Sequence, residues 1–407
     1  MQEAKKRENI YNTVIVRFGC EVGVKSARTR LKYEREVCRQ IRKLLEREGI
    51  RHLVKYSFGR AYVAAEDAVK AASVIARIFG VSSTSPALET SSDMNDIKKA
   101  ALKVAETVMS SKKTFAVRCR RSGSHPYTSI DVCREVGGII LRHFKDDNLR
   151  VNLENPEVTI KVEVRDDRAY IYTEEYEGPG GFPLGVQGKV VCLLSGGIDS
   201  PVACWLAMRR GAAIVPVYFD ASPTFSDELS REKALACARI LFEWTPEKRG
   251  KVYIAPHEHT LAAIKEHCPE KYTCVLCKRV MYRVAERIAE MEEAYGIVTG
   301  EALGEQASQT LANLRVLDEA AKKYPVHRPL LCFDKTETER LARRIGTYEV
   351  SARKSIDCTA APKHPILRAR LEKVLEFEQK IGVNELVEET LNGLKEVEVQ
   401  CSDPTSN

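Results

Sequence analysis

Val190-Val191-Cys192-Leu193-Leu194-Ser195-Gly196-Gly197-Ile198-Asp199-Ser200 is an apolar strand that runs directly into a Ser-Gly-Gly turn and then into a helical pattern. Such a junction is built to hold pyrophosphate. Adjacent glycines let the backbone take positive φ and approach an oxyanion with no Cβ in the way, while the following helix presents unpaired N–H groups and its positive dipole end. Ser195 and Ser200 add hydroxyl donors. The loop lacks the lysine of the G-x-x-x-x-G-K-[ST] phosphate loop and carries Asp199 instead, which points to a Mg2+ bridge and to cleavage between the α- and β-phosphates.

Beyond this loop the pattern is β-then-α: strand 190–194, a helix to Arg210 closed by Gly211, strand 213–219, a helix at about 227–243, strand 251–256, a long helix to Tyr295, and strand 297–299. Alternation of this kind predicts a doubly wound parallel sheet with its ligand over the carboxyl ends of the strands. Residues just after consecutive strands then converge on one crevice. Ser195 to Ser200, Tyr218-Phe219-Asp220 and Gly300-Glu301 occupy that position, with Ser308-Gln309-Thr310 at a further helix start. Tyr218 and Phe219 either flank an adenine or are half-buried strand-end aromatics.

Upstream the arithmetic differs. Strand 13–18, a helix capped at Ser26, a hairpin turning at Phe58-Gly59-Arg60 and a helix from Glu66 to Phe79 predict a small ferredoxin-like unit over residues 1–80. A second α+β unit covers 81–177, with helices from about Asp93 to Met109 and Ser129 to Phe144 and strands at 114–119, 158–164 and 169–173. One of its strands leads into Arg118, Arg120 and Arg121 and on to His125, a set of donors suited to RNA phosphates, with Tyr127 available for stacking. Glu177-Gly178-Pro179-Gly180-Gly181-Phe182-Pro183 marks a boundary, because such Gly and Pro density cannot continue a helix or central strand. The catalytic domain is therefore expected over 178–407, ending in an acidic, disordered tail from Glu396.

The chain of 407 residues, 44% hydrophobic and 30% charged, has an ordinary globular composition, and none of its apolar runs is long enough for a membrane span. Met1 to Arg7 has no apolar segment behind it, so a cytoplasmic location is expected. Residues 1–180 carry 33 Lys and Arg against 25 Asp and Glu, whereas the remainder carry 31 against 32. The whole surplus lies upstream of the glycine loop. A basic module joined to a nucleotide-binding module suggests that one grips a polyanion on which the other acts.

Thirteen cysteines, an odd number scattered over a large chain, argue against a secreted disulfide framework. Cys192 and Cys204 read as core thiols. Cys274 and Cys277, followed by Lys278-Arg279 at the head of a helix, leave zinc, a redox pair and chance open. Cys358 lies in Ser355-Ile356-Asp357-Cys358-Thr359-Ala360-Ala361-Pro362, a polar loop where an inert thiol is less expected. Together these thiols would hold an iron–sulfur cluster with one iron open, or Cys358 would carry a persulfide.

With Leu193 to Ala203, Thr299-Gly300-Glu301 through Thr310, and Arg328-Pro329-Leu330 with Asp334-Lys335 in view, the chain resembles the tRNA 4-thiouridine synthetase family over nearly its whole length. The resemblance implies an N-terminal ferredoxin-like domain, an RNA-binding THUMP domain and a pyrophosphate-loop adenylating domain. It implies that ATP is held by Leu193, Leu194, Tyr218, Phe219, Lys278, Gly300 and Gln309, with Asp199 and Lys335 acting at the phosphates. The implied target is the uridine at tRNA position 8, whose C4 oxygen is adenylated and then replaced by sulfur. Many bacterial members append a rhodanese domain that delivers persulfide, and this chain stops without one. Some members lacking that domain, notably archaeal ones, are similar to this chain in carrying Cys-x-x-Cys plus the later cysteine, and the resemblance implies for Cys274, Cys277 and Cys358 their cluster-based sulfur handling, with sulfide or a cysteine desulfurase as the expected donor. Thiamine synthesis, which relies on the appended domain, is not implied. A homodimer would let one subunit grip the acceptor end while the other reacts. The competing readings are another pyrophosphate-loop ligase that amidates a small carbonyl substrate, and a non-catalytic RNA-binding protein.

Overall fold

In the computed structural model, residues 10–356 and 358–401 are described, in two units that divide between Phe182 and Pro183. In the first unit, β1 (Thr13–Phe18) is buried at all but its last residue, and the helix Ala27–Arg47 packs the stripe Val37, Ile41, Leu44 and Leu45 inward. The hairpin forms as expected from β2 (His52–Ser57) and β3 (Arg60–Ala65), with Gly59 at φ +77°, a conformation a side chain disfavours. The helix Ala68–Ile75 follows, and then β4 (Val81–Ser91).

That strand is not predicted from V-S-S-T-S-P-A-L-E-T-S, because hydroxyl residues replace apolar alternation and Pro86 cannot donate to a ladder. The strands on either side hold it in place. Beyond it come β5 (Thr114–Ser122), β6 (Arg150–Val151), β7 (Val158–Arg165), β8 (Arg168–Tyr172) and β9 (Tyr176–Glu177), with helices Met94–Val108 and Ser129–His143 between them. The first part of β4 pairs antiparallel with β1 and its last four residues pair with β8. One strand therefore serves both α+β halves, which share a single sheet in the order β2-β3-β1-β4-β8-β7-β5-β6, with β9 on β4. The glycine-rich segment after β9 is lashed to β4, since Gly178 N donates to Ser82 O at 2.8 Å and Gly180 N to Val81 O at 2.8 Å.

The second unit is built on β10 (Lys189–Leu193), β11 (Ala213–Asp220), β12 (Arg249–Pro256), β13 (Ile297–Val298), β14 (Val326–His327) and β15 (Lys395–Gln400), in the order β14-β13-β10-β11-β12-β15. All pairs are parallel except that of β12 with β15. Chain order reverses across β10, which places a crevice at its carboxyl end. Two expectations are corrected. Residues 395–400 are an antiparallel edge strand rather than a disordered tail, with Val399 buried; residues 402–407 lie outside the described residues. The long helix after β12 is broken at Pro269 into Glu258–His267 and Thr273–Met291, because proline lacks the N–H that would continue it. Among the described residues, no helix is long and apolar enough to cross a membrane.

Candidate functional site

The Ser-Gly-Gly loop leaves β10 and enters the helix Asp199–Arg209. Ser200 closes it: Ser195 N donates to Ser200 Oγ at 2.8 Å, and the Ser195 and Ser200 hydroxyls lie 2.9 Å apart. Neither Gly196 nor Gly197 takes positive φ, so the expected reason for the glycine pair is corrected. Gly196 is required by packing, since a Cβ there would stand 2.6 Å from Lys233 Cβ. Gly300 answers it from across the crevice, where a Cβ would stand 2.6 Å from Ser200 N. Two backbones meet there with no room for a side chain.

Two cavities flank this loop. The first, of about 240 Å3, is lined by Leu193, Leu194, Ser195, Gly197, Asp199, Ser200, Lys278, Gly300 and Gln309, together with Tyr282 and Glu301. The second, of about 340 Å3, is lined by Ser195 to Gly197, Tyr218, Phe219, Lys233, His257, Cys277 and Cys358. Ser195, Gly197 and Met281 border both. The residues expected to hold ATP are thus divided, with Tyr218 and Phe219 on the same side as the cysteines.

The first cavity is organised by Glu301, a buried carboxylate. Its Oε1 accepts from Lys278 Nζ at 3.0 Å, and its Oε2 from Arg328 Nε at 2.8 Å, Tyr282 OH at 2.6 Å and Thr299 Oγ1 at 3.1 Å. Burial alone would raise its pKa, but the charges of Lys278 and Arg328 and the hydrogen bonds from Tyr282 and Arg328 outweigh it and hold the carboxyl at about 2. Gln309 is buried, with its Oε1 accepting from Gln306 N at 3.2 Å. At the mouth, Lys335 begins the helix Lys335–Ile345, capped by Asp334. Its ammonium donates to Asp199 Oδ1 at 2.7 Å and Glu305 Oε2 at 3.2 Å. Burial disfavours that charge, yet the bonds and charges of Asp199 and Glu305 raise its pKa. The two carboxylates converge on one positive charge, which fits them to hold Mg2+.

In the second cavity, the His257 Nε2 and Cys277 Sγ atoms are 3.1 Å apart, and Phe219 meets the imidazole edge-on with ring centres 5.3 Å apart. Burial, followed by the charge of His259, lowers the His257 pKa to about 3, so the ring is neutral, and its Nδ1 finds no partner among the described residues. Burial, then the neighbouring Cys358 and Cys274, raises the Cys277 thiol well above its usual range. Cys274 is half-buried and Cys358 exposed. The three thiols feel one another electrostatically, but among the described residues no three His, Cys, Asp or Glu side chains are arranged to hold a metal ion. The reason is local: Cys277 points toward His257 and Met281 while Cys358 rides a separate loop.

Arg118, Arg120 and Arg121 all lie on β5 and are exposed. The Arg118 guanidinium donates to Leu153 O, and Arg121 Nη1 donates to Gly123 O at 3.0 Å. Tyr127 is not a free stacking platform, because its hydroxyl donates to Ser92 O and its ring packs on the core. Sequence reasoning passed over His257 and Lys233. The first follows the end of β12 and was open to the same strand-end rule that found Gly300; the second sits in Ser226-Asp227-Glu228-Leu229-Ser230-Arg231-Glu232-Lys233, which reads as a solvated helix face.

Three family models match the chain: the ThiI ferredoxin-like domain over residues 13–85, the THUMP domain over 91–174 and the thiamine biosynthesis protein (ThiI) over 185–383. A probable tRNA sulfurtransferase of Methanosarcina acetivorans is 40% identical over 94% of this chain and 93% of its own length. Another, of Moorella thermoacetica, is 38% identical over 96% and 98%. Among solved structures, a 4-thiouridine synthetase in complex with RNA and bound ATP is 34% identical, with a TM-score of 0.85 over 96% of this chain and all of that one.

Proposed function

We propose, from the premise that the chain belongs to the ThiI family of tRNA sulfurtransferases, that it thiolates the uridine at tRNA position 8 to 4-thiouridine at the expense of ATP. The observation that carries this reading is the pyrophosphate loop Ser195–Ser200, set between a carboxylate–ammonium cluster on one side and a cavity bordered by Cys277 and Cys358 on the other. Leu193, Leu194, Lys278, Gly300 and Gln309 hold ATP on the first side and Tyr218 and Phe219 on the second. Asp199 and Glu305 would hold Mg2+, which when bound would screen phosphate charge, and Lys335 supplies fixed positive charge at the phosphates. Arg118, Arg120 and Arg121 contact the RNA backbone. Residues 1–80, 81–177 and 178–407 are the ferredoxin-like, THUMP and catalytic domains, with β4 shared between the first two.

The base O4 attacks the α-phosphorus and pyrophosphate leaves, because a carbonyl oxygen is a poor leaving group until esterified. Sulfur then follows a closed cycle. Hydrosulfide attacks Cys358 Sγ in a Cys358–Cys277 disulfide, freeing the Cys277 thiolate and leaving a persulfide on Cys358. The terminal sulfur attacks C4 and AMP departs. The Cys277 thiolate next attacks Cys358 Sγ, which restores the disulfide and leaves 4-thiouridine. Both thiols are free in this structure, so a two-electron oxidant such as molecular oxygen or a small disulfide must form the bond once before the first turnover; thereafter no oxidant or reductant is consumed, and Cys274 stands by as the alternative resolving thiol. The test is anoxic incubation with unmodified tRNA, Mg-ATP and sulfide, followed by mass spectrometry of the nucleosides and by pyrophosphate assay. Asp199→Ala is expected to abolish both outputs, whereas Cys358→Ala keeps RNA-dependent pyrophosphate release and makes no 4-thiouridine. Pyrophosphate release without RNA would point instead to a ligase for a small substrate.

A further inference from the structure

The loop that carries Cys358 is held by one face of the helix Glu228–Phe242 and its cap. Asp227, the cap residue, accepts from Ile356 N through Oδ2 at 3.1 Å. Ser230 Oγ, which donates to Asp227 Oδ1 at 2.6 Å, lies 3.4 Å from Ile356 O. Two turns into the helix, Lys233 Nζ donates to Arg353 O at 2.7 Å and Ser355 Oγ at 3.0 Å. These three side chains are spaced three apart in sequence, so they fall on one helical face.

Lys233 is the unusual member. It is only 7% exposed, and among the described residues no carboxylate lies within ion-pair distance of its ammonium. A buried cation bonded to neutral acceptors alone is expensive, and a methionine would fill the same space without that cost. The stem of the same side chain presses against the pyrophosphate loop, where only a glycine fits at 196. Lys233 thus touches both loops and borders the cavity that Cys358 shares with Gly196 and Gly197.

We propose that Lys233 is a positioning residue that couples the two half-reactions, clamping the Cys358 loop against the pyrophosphate loop so that sulfur meets the activated base. Asp227 and Ser230 hold the loop backbone beside it. This rests on the sulfurtransferase reading above and adds a residue to it. Adenylation needs the pyrophosphate loop and the residues that hold ATP but not the Cys358 loop, whereas sulfur transfer needs both loops in register. Loss of the clamp therefore leaves activation running while the activated base goes unthiolated.

The experiment measures pyrophosphate released and 4-thiouridine formed in one anoxic reaction with full-length protein, unmodified tRNA, Mg-ATP and sulfide. Lys233→Met is expected to keep RNA-dependent pyrophosphate release within about threefold of wild type while 4-thiouridine per pyrophosphate falls at least tenfold. Lys233→Arg, which keeps the donors, is expected to recover most of that ratio. In protein reduced beforehand, alkylation of Cys358 by iodoacetamide, followed by peptide mass spectrometry, should quicken at least threefold in Lys233→Met. An unchanged ratio with unchanged alkylation overturns the proposal, and so does parallel loss of both products in a folded variant. If Lys233→Met does not fold, Ser355→Ala, which removes one acceptor from the opposite side, must lower the ratio or the proposal falls. Absence of RNA-dependent pyrophosphate release from the wild type would instead overturn the underlying sulfurtransferase reading.

Discussion

Glu301 gathers donors from Lys278, Tyr282, Thr299 and Arg328, and its carboxyl is held at about 2 against an ordinary value of 4.5. A depressed folded-state pKa contributes stability that is complete above the unfolded value and is lost as pH falls toward the folded one. The shift corresponds to about 3 kcal/mol. Urea midpoints of the wild type should therefore decline between pH 4.5 and 2, and those of Glu301→Gln should start lower and change less across that window. Equal slopes for the two proteins would remove Glu301 from this role. The importance of this residue was only partly legible. Its place after β13 marked it, but a sequence cannot show that Tyr282 and Arg328, 19 and 27 residues away, point at the same carboxylate.

At the scale of elements, the strand–loop–helix at 190–209 was readable because apolar strand, glycines and helix start are contiguous, so local chemistry dictates the form. β4 and β15 were not. Pro86 and the hydroxyl run hide the first, and the charges of Lys395-Glu396-Val397-Glu398-Val399 hide the second, although both are held by long-range ladders. The crossing of the Gly300 loop over Ser200 gives a sharp expectation at this scale. Gly300→Ala should weaken ATP binding at least tenfold by calorimetry, because the obstructing atoms are backbone and cannot rotate away. Retention of wild-type affinity would mean that the two backbones separate freely. Gly178→Ala meets a similar obstacle, with a Cβ 2.2 Å from Val81 O, and should lower the melting temperature of the first unit without altering ATP affinity.

For the whole molecule, the excess of basic residues before position 180 predicts RNA binding that weakens steeply with salt while ATP binding does not. Replacing Arg118, Arg120 and Arg121 with alanine should flatten the slope of log K against log salt by about 2 to 3, if each neutralises one phosphate. An unchanged slope would place the RNA contacts elsewhere. The persulfide cycle proposed above predicts that protein carrying the Cys358–Cys277 disulfide makes 4-thiouridine while holding far less than one iron per chain. Iron and labile sulfide in stoichiometric amounts, required for activity, would replace the persulfide cycle with a cluster. Because β4 is stitched to β1 at one end and to β8 at the other, the ferredoxin-like and THUMP halves cannot melt separately without tearing a common ribbon. Scanning calorimetry should register them as a single heat-capacity peak, the signature of a rigid plank and not of two beads on a string.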